Sequence, residues 1–350
     1  MSTRILIVDD SAYTRQVIRN IIEQDVKLEV VGVASDGIDA MAKTLRLKPD
    51  IITLDFEMPE MDGFSFLRWL MLERPTPVIM VSSYNDSRTV FKALELGAVD
   101  FIAKPTKRAS IELRTIEKDL LLKLGGIKNI RLDKLSRNLK LLDREESTAQ
   151  PSARATARNV GIVAVGSSTG GPAALQIILT RLPSDLRAAV VVSQHMPKGF
   201  TGPLAERLNK LAHLNIREAK NQDPVEPGSV LICPGGYHMG LQKRGGRVVT
   251  LLKEGQLEDK CTPSVDYMMQ SAAEVYGACA MGVILTGMGS DGRAGMVEIK
   301  NKGGYTIAES EETAVVFGMP GEAIKAGAVE SILPLSEISA AITRVVNHRE

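Results

Sequence analysis

The sequence predicts an α/β protein built from two doubly wound units, each a mainly parallel sheet covered by helices. Three observations predict it. Short apolar runs that are continuous rather than alternating recur along the chain, as in strands buried on both faces. Stretches with helical apolar spacing separate them, the pattern of parallel crossovers. At 350 residues the chain is long for one core, and a polar stretch near its middle divides the series in two.

In order, Arg4–Val8 is a β-branched run and Ala12–Glu23 has helical spacing. Leu28–Ala34, Ile51–Leu54, Val78–Val81 and Val99–Ala103 are the next strands, and Ser110–Lys123 a closing helix. Five such units make one doubly wound domain over residues 1–124. Residues 125–157 read as a linker: 127–143 allow a short helix, and Glu145–Arg158 is rich in Ser, Thr, Ala and Arg with no apolar period. A second domain over 158–350 starts with the strand Val160–Val165, a glycine-rich turn and a helix through Leu182. Ala188–Ser193, Ala280–Thr286 and Tyr305–Ala308 are further strands; Gly202–Leu211, Pro263–Tyr276 and Gly292–Lys302 are helices. Glu226–Cys233 and Arg247–Leu252 look like strands of a more antiparallel insert.

Composition narrows the function classes. Hydrophobic content is 44% and the net charge +1, which gives no bulk affinity for nucleic acid. Residues 1–103 carry 11 Lys/Arg against 16 Asp/Glu, residues 104–158 carry 14 against 7, and residues 159–350 carry 18 against 19. The basic excess therefore sits in the segment between the domains, where a solvated helix and linker accounts for it. The second domain lacks the basic recognition helix of a DNA reader. Three cysteines (Cys233, Cys261, Cys279) share no ligand spacing, which argues against a disulfide frame and a zinc site and for a reducing compartment. Without a signal-like start or an 18-residue apolar run, the expected location is cytoplasmic.

Asp9 and Asp10 follow the first strand and Asp55 ends the third, so three carboxylates meet at the carboxyl edge of the sheet, where such folds bind ligands. They repel unless a hard divalent cation neutralises them, and Mg²⁺ suits an all-oxygen site. A carboxylate can also attack phosphorus. Ser82 and Lys104, at the ends of the fourth and fifth strands, add a hydroxyl and a cation, and Pro105 is a candidate cis-proline.

The segments Ile-Leu-Ile-Val-Asp9-Asp10-Ser, Leu-Asp55-Phe-Glu-Met-Pro-Glu-Met-Asp-Gly63, Val-Ser82-Ser and Phe101-Ile-Ala-Lys104-Pro105 resemble the receiver domain of two-component response regulators. The resemblance covers residues 4–124 and implies a flavodoxin-like fold. It further implies Asp55 as acceptor of phosphate from a histidine kinase, Mg²⁺ held by Asp9, Asp10, Asp55 and Glu57, and Ser82 and Phe101 as a switch pair beside Lys104.

In the second domain, Val-Ala-Val-Gly166-Ser-Ser168-Thr-Gly170-Gly171-Pro has the form strand, G-x-S-x-G, helix. Such a turn lifts a serine above the sheet edge, with backbone N–H groups able to hold an oxyanion. The same turn can also be a plain cap or a phosphate cradle. Of four histidines, His348 is terminal, His213 falls at a helix end and His238 in the insert, leaving His195 after the strand Ala188–Ser193 as the base. Asp291, after the strand Ala280–Thr286, can orient the imidazole. Gly287-Met-Gly289-Ser-Asp-Gly292 also fits G-x-G-x-x-G, with Glu309 further on as in dinucleotide sites, although Asp291 would oppose a pyrophosphate.

Gly-Ser-Ser168-Thr-Gly-Gly, Gln-His195-Met-Pro and Leu-Thr-Gly-Met288-Gly-Ser-Asp291-Gly behind a receiver resemble the chemotaxis protein-glutamate methylesterase family (CheB) over essentially the whole chain. Ser167 departs from it, since that neighbour is often Ala. The resemblance implies a phosphorylation-activated hydrolase that demethylates glutamate side chains of methyl-accepting chemotaxis receptors, releasing methanol, and deamidates receptor glutamines. It implies Ser168, His195 and Asp291 as the triad and Thr169 and Met288 as oxyanion donors. It also implies no cofactor for the hydrolase, no nucleic acid, membranes reached only through receptors, and a monomer. A receiver-controlled scaffold with an inactive hydrolase-like domain, or a nucleotide-binding output domain, is the alternative.

Overall fold

The structure is a computed structural model and describes residues 2–82, 87–104, 111–126, 130, 132–142, 159–256 and 258–347. They form two compact units, Met1–Ser136 and Arg137–Glu350.

In the first unit β1 (Thr3–Val8), β2 (Leu28–Ala34), β3 (Ile51–Asp55), β4 (Val78–Ser82) and β5 (Asp100–Ala103) make one sheet ordered β2-β1-β3-β4-β5. All neighbours are parallel. Helices α1 (Ala12–Ile22), α2 (Gly37–Leu47), α3 (Gly63–Glu73), α4 (Ser87–Glu95) and α5 (Ile111–Gly125) complete the expected alternation. Ser11, Asp36 and Asp62 start the first three helices by accepting the backbone N–H groups of Thr14, Asp39 and Ser65. Ile5, Ile7, Ile51, Ile79 and Ile102 of the strands pack with Ile18, Ile22, Ile116 and Leu120 of the helices into a core. The strand order reverses beside β1, which opens a crevice between β1 and β3.

α6 (Leu132–Leu142) lies within the stretch expected to be linker. Its second half belongs to the second unit: Asn138 Nδ2 donates to Thr313 O at 3.0 Å, and Leu141 O accepts from Arg181 Nη2 at 2.9 Å. Residues 143–158, Pro105 and His348 lie outside the described residues.

The second unit contains β6 (Ile162–Ser167), α7 (Gly171–Leu179), β7 (Ala189–Gln194), α8 (Thr201–Leu211), β8 (Asn215–Glu218) and β9 (Ser229–Ile232). Next come β10 (Tyr237–Arg244), β11 (Arg247–Glu254), α9 (Val265–Tyr276), β12 (Ala280–Ile284), α10 (Arg293–Asn301) and β13 (Tyr305–Glu309). α11 (Met319–Lys325), β14 (Ser331–Leu333) and α12 (Leu335–Asn347) follow. Seven strands form a parallel sheet ordered β14-β13-β12-β6-β7-β9-β8. The three central strands β12, β6 and β7 are buried along their whole length, as continuous apolar runs demand.

One expectation is corrected. Ser229–Ile232 is not part of an antiparallel insert; it is β9, parallel inside the main sheet between β7 and β8. Its Val-Leu-Ile run is buried, whereas the half-exposed β11 pairs antiparallel with β10. Gly245 and Gly246, both at positive φ, make the two-residue turn of that hairpin.

Candidate active site

Two polar clusters stand at sheet edges, one in each unit. In the first, oxygens of Asp9, Asp10 and Asp55 lie within 4.8 Å of one another. Lys104 Nζ is 2.6 Å from Asp55 Oδ2 and 3.5 Å from Asp9 Oδ2. Asp9 is fully buried and its Oδ2 has no hydrogen-bond partner. Burial and the neighbouring Asp55 push the Asp9 carboxyl up to about 6, and burial raises Asp55 against the pull of Lys104. A buried oxygen that makes no hydrogen bond, among three carboxylates faced by a single lysine, fits a hard divalent cation such as Mg²⁺.

The loop after Asp55 is drawn tight against the strand. A Cβ on Gly63 would stand 2.2 Å from Asp55 O, so only glycine allows this approach. Glu57 is exposed and its carboxylate is not among the clustered three. Phe101 is buried, with Lys123 Nζ 5.3 Å from the ring centroid and bonded to its carbonyl. Ser82 ends β4, and its side chain lies outside the description.

In the second unit the glycine turn after β6 carries Ser168. Ser168 N–H donates to Thr286 O at 3.0 Å, and its carbonyl accepts from Gly171 N and Gln194 Nε2. Gly170, at φ +77°, caps α7, and a Cβ on Gly171 would fall 2.0 Å from Gln194 Oε1. The adjacent Ser167 is wholly buried, and its hydroxyl donates to Gln194 Oε1 at 2.6 Å. Ser168 Oγ makes no hydrogen bond among the described residues, which leaves it the available hydroxyl of the two.

His195 follows β7, and its N–H donates to Ser167 O at 3.0 Å, so its backbone runs beside the serine turn. Its Nε2 meets Asp291 Oδ2 at 2.7 Å. Burial lowers the His195 pKa, but the Asp291 bond and the adjacent Cys261 outweigh it and raise it to about 10. Burial likewise would raise Asp291, yet the His195 bond and the backbone N–H groups of Asp266 and Val265 hold it at about 2. Gly287 stands against Ser168, its would-be Cβ 2.8 Å from Ser168 Cβ. The next N–H, that of Met288, has no partner among the described residues; the Thr169 carbonyl accepts from Thr286 Oγ1.

Several supporting residues gave no sequence signal, because they act from distant elements. Ser264 Oγ and the N–H groups of Val265 and Asp266 all donate to the Asp291 carboxylate. The Asp266 carboxylate accepts from Gly292 N and Gly295 N, capping α10 from α9. That cap occupies the helix start where a pyrophosphate would bind, so the G-x-G-x-x-G reading is not favoured. His238, expected to be incidental, is buried, bonded to Asp259 at 2.8 Å and accepts from Ser264 N at 3.1 Å. Glu309, fully buried, accepts from Thr286 N and Thr313 Oγ1 and so braces the strand end behind Ser168. The chemistry available is acyl transfer by a serine with a carboxylate-oriented imidazole.

Each unit has matches among known proteins. Residues 163–342 match the family model described as CheB methylesterase, and residues 5–115 match the response regulator receiver domain. A Geobacter sulfurreducens protein called protein-glutamate methylesterase/protein-glutamine glutaminase 3 is 47% identical, with 96% of this chain and 95% of that protein covered. A Pyrococcus abyssi protein-glutamate methylesterase/protein-glutamine glutaminase is 41% identical, with 98% and 93% covered. The crystal structure of the Thermotoga maritima CheB methylesterase catalytic domain superposes with a TM-score of 0.52 at 42% identity, spanning 54% of this chain and 100% of that one.

Proposed function

The chain belongs to the CheB methylesterase family and carries its response regulator receiver domain, and from that premise we propose that Ser168, His195 and Asp291 are its catalytic triad and Asp55 its phosphate acceptor. The protein is a phosphorylation-regulated protein-glutamate methylesterase and protein-glutamine glutaminase of chemotaxis.

Its substrates are methylated glutamates and glutamines of chemoreceptors. Ser168 Oγ attacks the γ-carbonyl carbon while His195 takes the serine proton, and the developing oxyanion is received by the N–H groups of Met288 and Thr169. The carbon–oxygen bond to the methoxy group then breaks and His195 returns the proton, releasing methanol. Water, deprotonated by the same imidazole, frees the glutamate. An amide substrate passes through the same tetrahedral arrangement and loses ammonia. Asp291 keeps the imidazole oriented and stabilises its charged form.

At the other cluster, a histidine kinase donates a phosphoryl group to an Asp55 oxygen. Asp9, Asp10 and Asp55 would hold Mg²⁺, which would neutralise the charge gathered on carboxylates and phosphoryl oxygens. Lys104, already on Asp55, is placed to follow the new charge. The observation that carries the hydrolase reading is the His195–Asp291 pair beside a serine turn in which the Ser167 hydroxyl is held by Gln194 and that of Ser168 makes no hydrogen bond among the described residues. A serine-directed fluorophosphonate should label Ser168, read by peptide mass mapping. Labelling confined to Ser167 would overturn the assignment.

A further inference from the structure

The spacing of the three cysteines argued against a zinc site, but the fold brings one of them to the catalytic pair. A ring nitrogen of His195, the sulfur of Cys261 and a carboxylate oxygen of Asp291 lie within 4.8 Å of one another, and all three residues are partly exposed. We propose that Cys261, His195 and Asp291 form a binding site for a borderline-soft divalent metal of the Zn²⁺ class, and that the bound metal reversibly switches the hydrolase off.

The donor set is one sulfur, one nitrogen and one oxygen, which suits Zn²⁺ and not Mg²⁺ or Ca²⁺. Three protein ligands leave a fourth, tetrahedral position open for water. Ligands of a tetrahedral zinc stand about 3–4 Å apart, so the three groups need to close by only on the order of 1 Å. The surroundings also fit a metal site. Asp291 is oriented by Ser264 Oγ and the Val265 and Asp266 N–H groups, and the chain carrying Cys261 is tied through Ser264 N to the buried His238. Partial exposure gives the ion a way in. On binding, the thiol and the imidazole release their protons to solvent and the metal takes their lone pairs. The imidazole is then no longer able to accept the Ser168 proton, so binding and catalysis exclude each other. The inhibitory half of the proposal rests on the triad reading; the binding half does not.

The test uses the full chain in excess Mg²⁺, which occupies the all-oxygen cluster of the first unit. Co²⁺ is the probe, because cobalt bound to a thiolate gains a near-ultraviolet charge-transfer band that oxygen ligands do not produce. The wild type should show the band at one equivalent of Co²⁺, and Cys261→Ser should lack it. No band in the wild type, or an equal band in Cys261→Ser, overturns the site, since the thiolate would then be absent or supplied by Cys279 or Cys233. In parallel, Zn²⁺ inhibition of methanol release is measured for each protein against its own chelated rate. The half-inhibitory Zn²⁺ concentration should rise about tenfold or more in Cys261→Ser; equal inhibition of both proteins counts against the proposal. A chelated wild type without esterase activity would instead defeat the triad assignment, while the cobalt band still decides the metal site.

Discussion

Ser167 and Ser168 are neighbours with opposite commitments. Ser167 spends its hydroxyl on Gln194 inside the sheet edge, and Ser168 keeps its own free. Ser168→Ala should therefore lower kcat for methanol release roughly 10⁴-fold or more, as loss of a triad serine does. Ser167→Ala should stay within about tenfold of wild type, the cost being an unpaired Gln194 oxygen. His195 adds a pH prediction. A general base works unprotonated, and burial is outweighed here by Asp291 and Cys261, which raise the pKa to about 10. In chelated buffer kcat/KM should rise about tenfold per pH unit between roughly pH 7 and 9 and fall correspondingly toward acid. Replacing Cys261 by Ser should shift that rise to lower pH. A plateau already reached at pH 7 contradicts the raised value. At this scale Asp55 could be singled out because it ends a continuous apolar strand, and Ser168 and His195 because each directly follows one; Asp291 lies farther on, in the loop between β12 and α10. The contacts of Cys261, Ser264 and His238 were not legible, since they join the segment before α9 to β10 and to residues that follow β7 and β12, all distant in sequence. Glu57, expected as a ligand from its motif, is exposed, and its carboxylate stands apart from the cluster of Asp9, Asp10 and Asp55.

Between elements, the α9–α10 pair sets Asp291. Asp266 on α9 donates its N–H to the Asp291 carboxylate and caps α10 with its own carboxylate. Asp266→Ala should cost about 1–2 kcal/mol in stability, as cap removals do. It should also lower kcat with little change in KM, because the orientation of Asp291 is lost and not the substrate surface. Asp266→Asn keeps a cap acceptor and should recover most of kcat. Similar losses in both variants would mean that the cap does not position Asp291. The strands β6, β7 and β12 were readable from composition because their residues are buried on both faces. β8 was not, since it is a four-residue edge strand whose buried residue is Ile216 alone. β9 was misplaced in an insert because its short apolar run borders the hairpin in sequence and not in the sheet.

For the whole molecule, a phosphoacceptor unit and a hydrolase unit share one chain, and the charge record of the sequence marks the division between them. Residues 104–158 carry 14 Lys/Arg against 7 Asp/Glu, between stretches that are acidic or nearly neutral. Within this span α6 docks its second half on the hydrolase unit through Asn138 and Leu141, so part of the expected linker is ordered structure. Among the described residues no helix is long and apolar enough to cross a membrane. Phosphoryl transfer to Asp55 is expected to raise the esterase rate, and Asp55→Asn should abolish the increase that a small-molecule acyl phosphate and Mg²⁺ produce in the parent protein. An undiminished increase in Asp55→Asn would place the acceptor elsewhere.

The central claim is a serine esterase governed by an aspartate phosphorylation, and methanol released from methylated receptor membranes by the full chain tests it most directly. Release should increase when the acyl phosphate donor and Mg²⁺ are added, and Ser168→Ala should release almost none under either condition. Near-normal release by Ser168→Ala, or a wild-type rate indifferent to the donor, would contradict it.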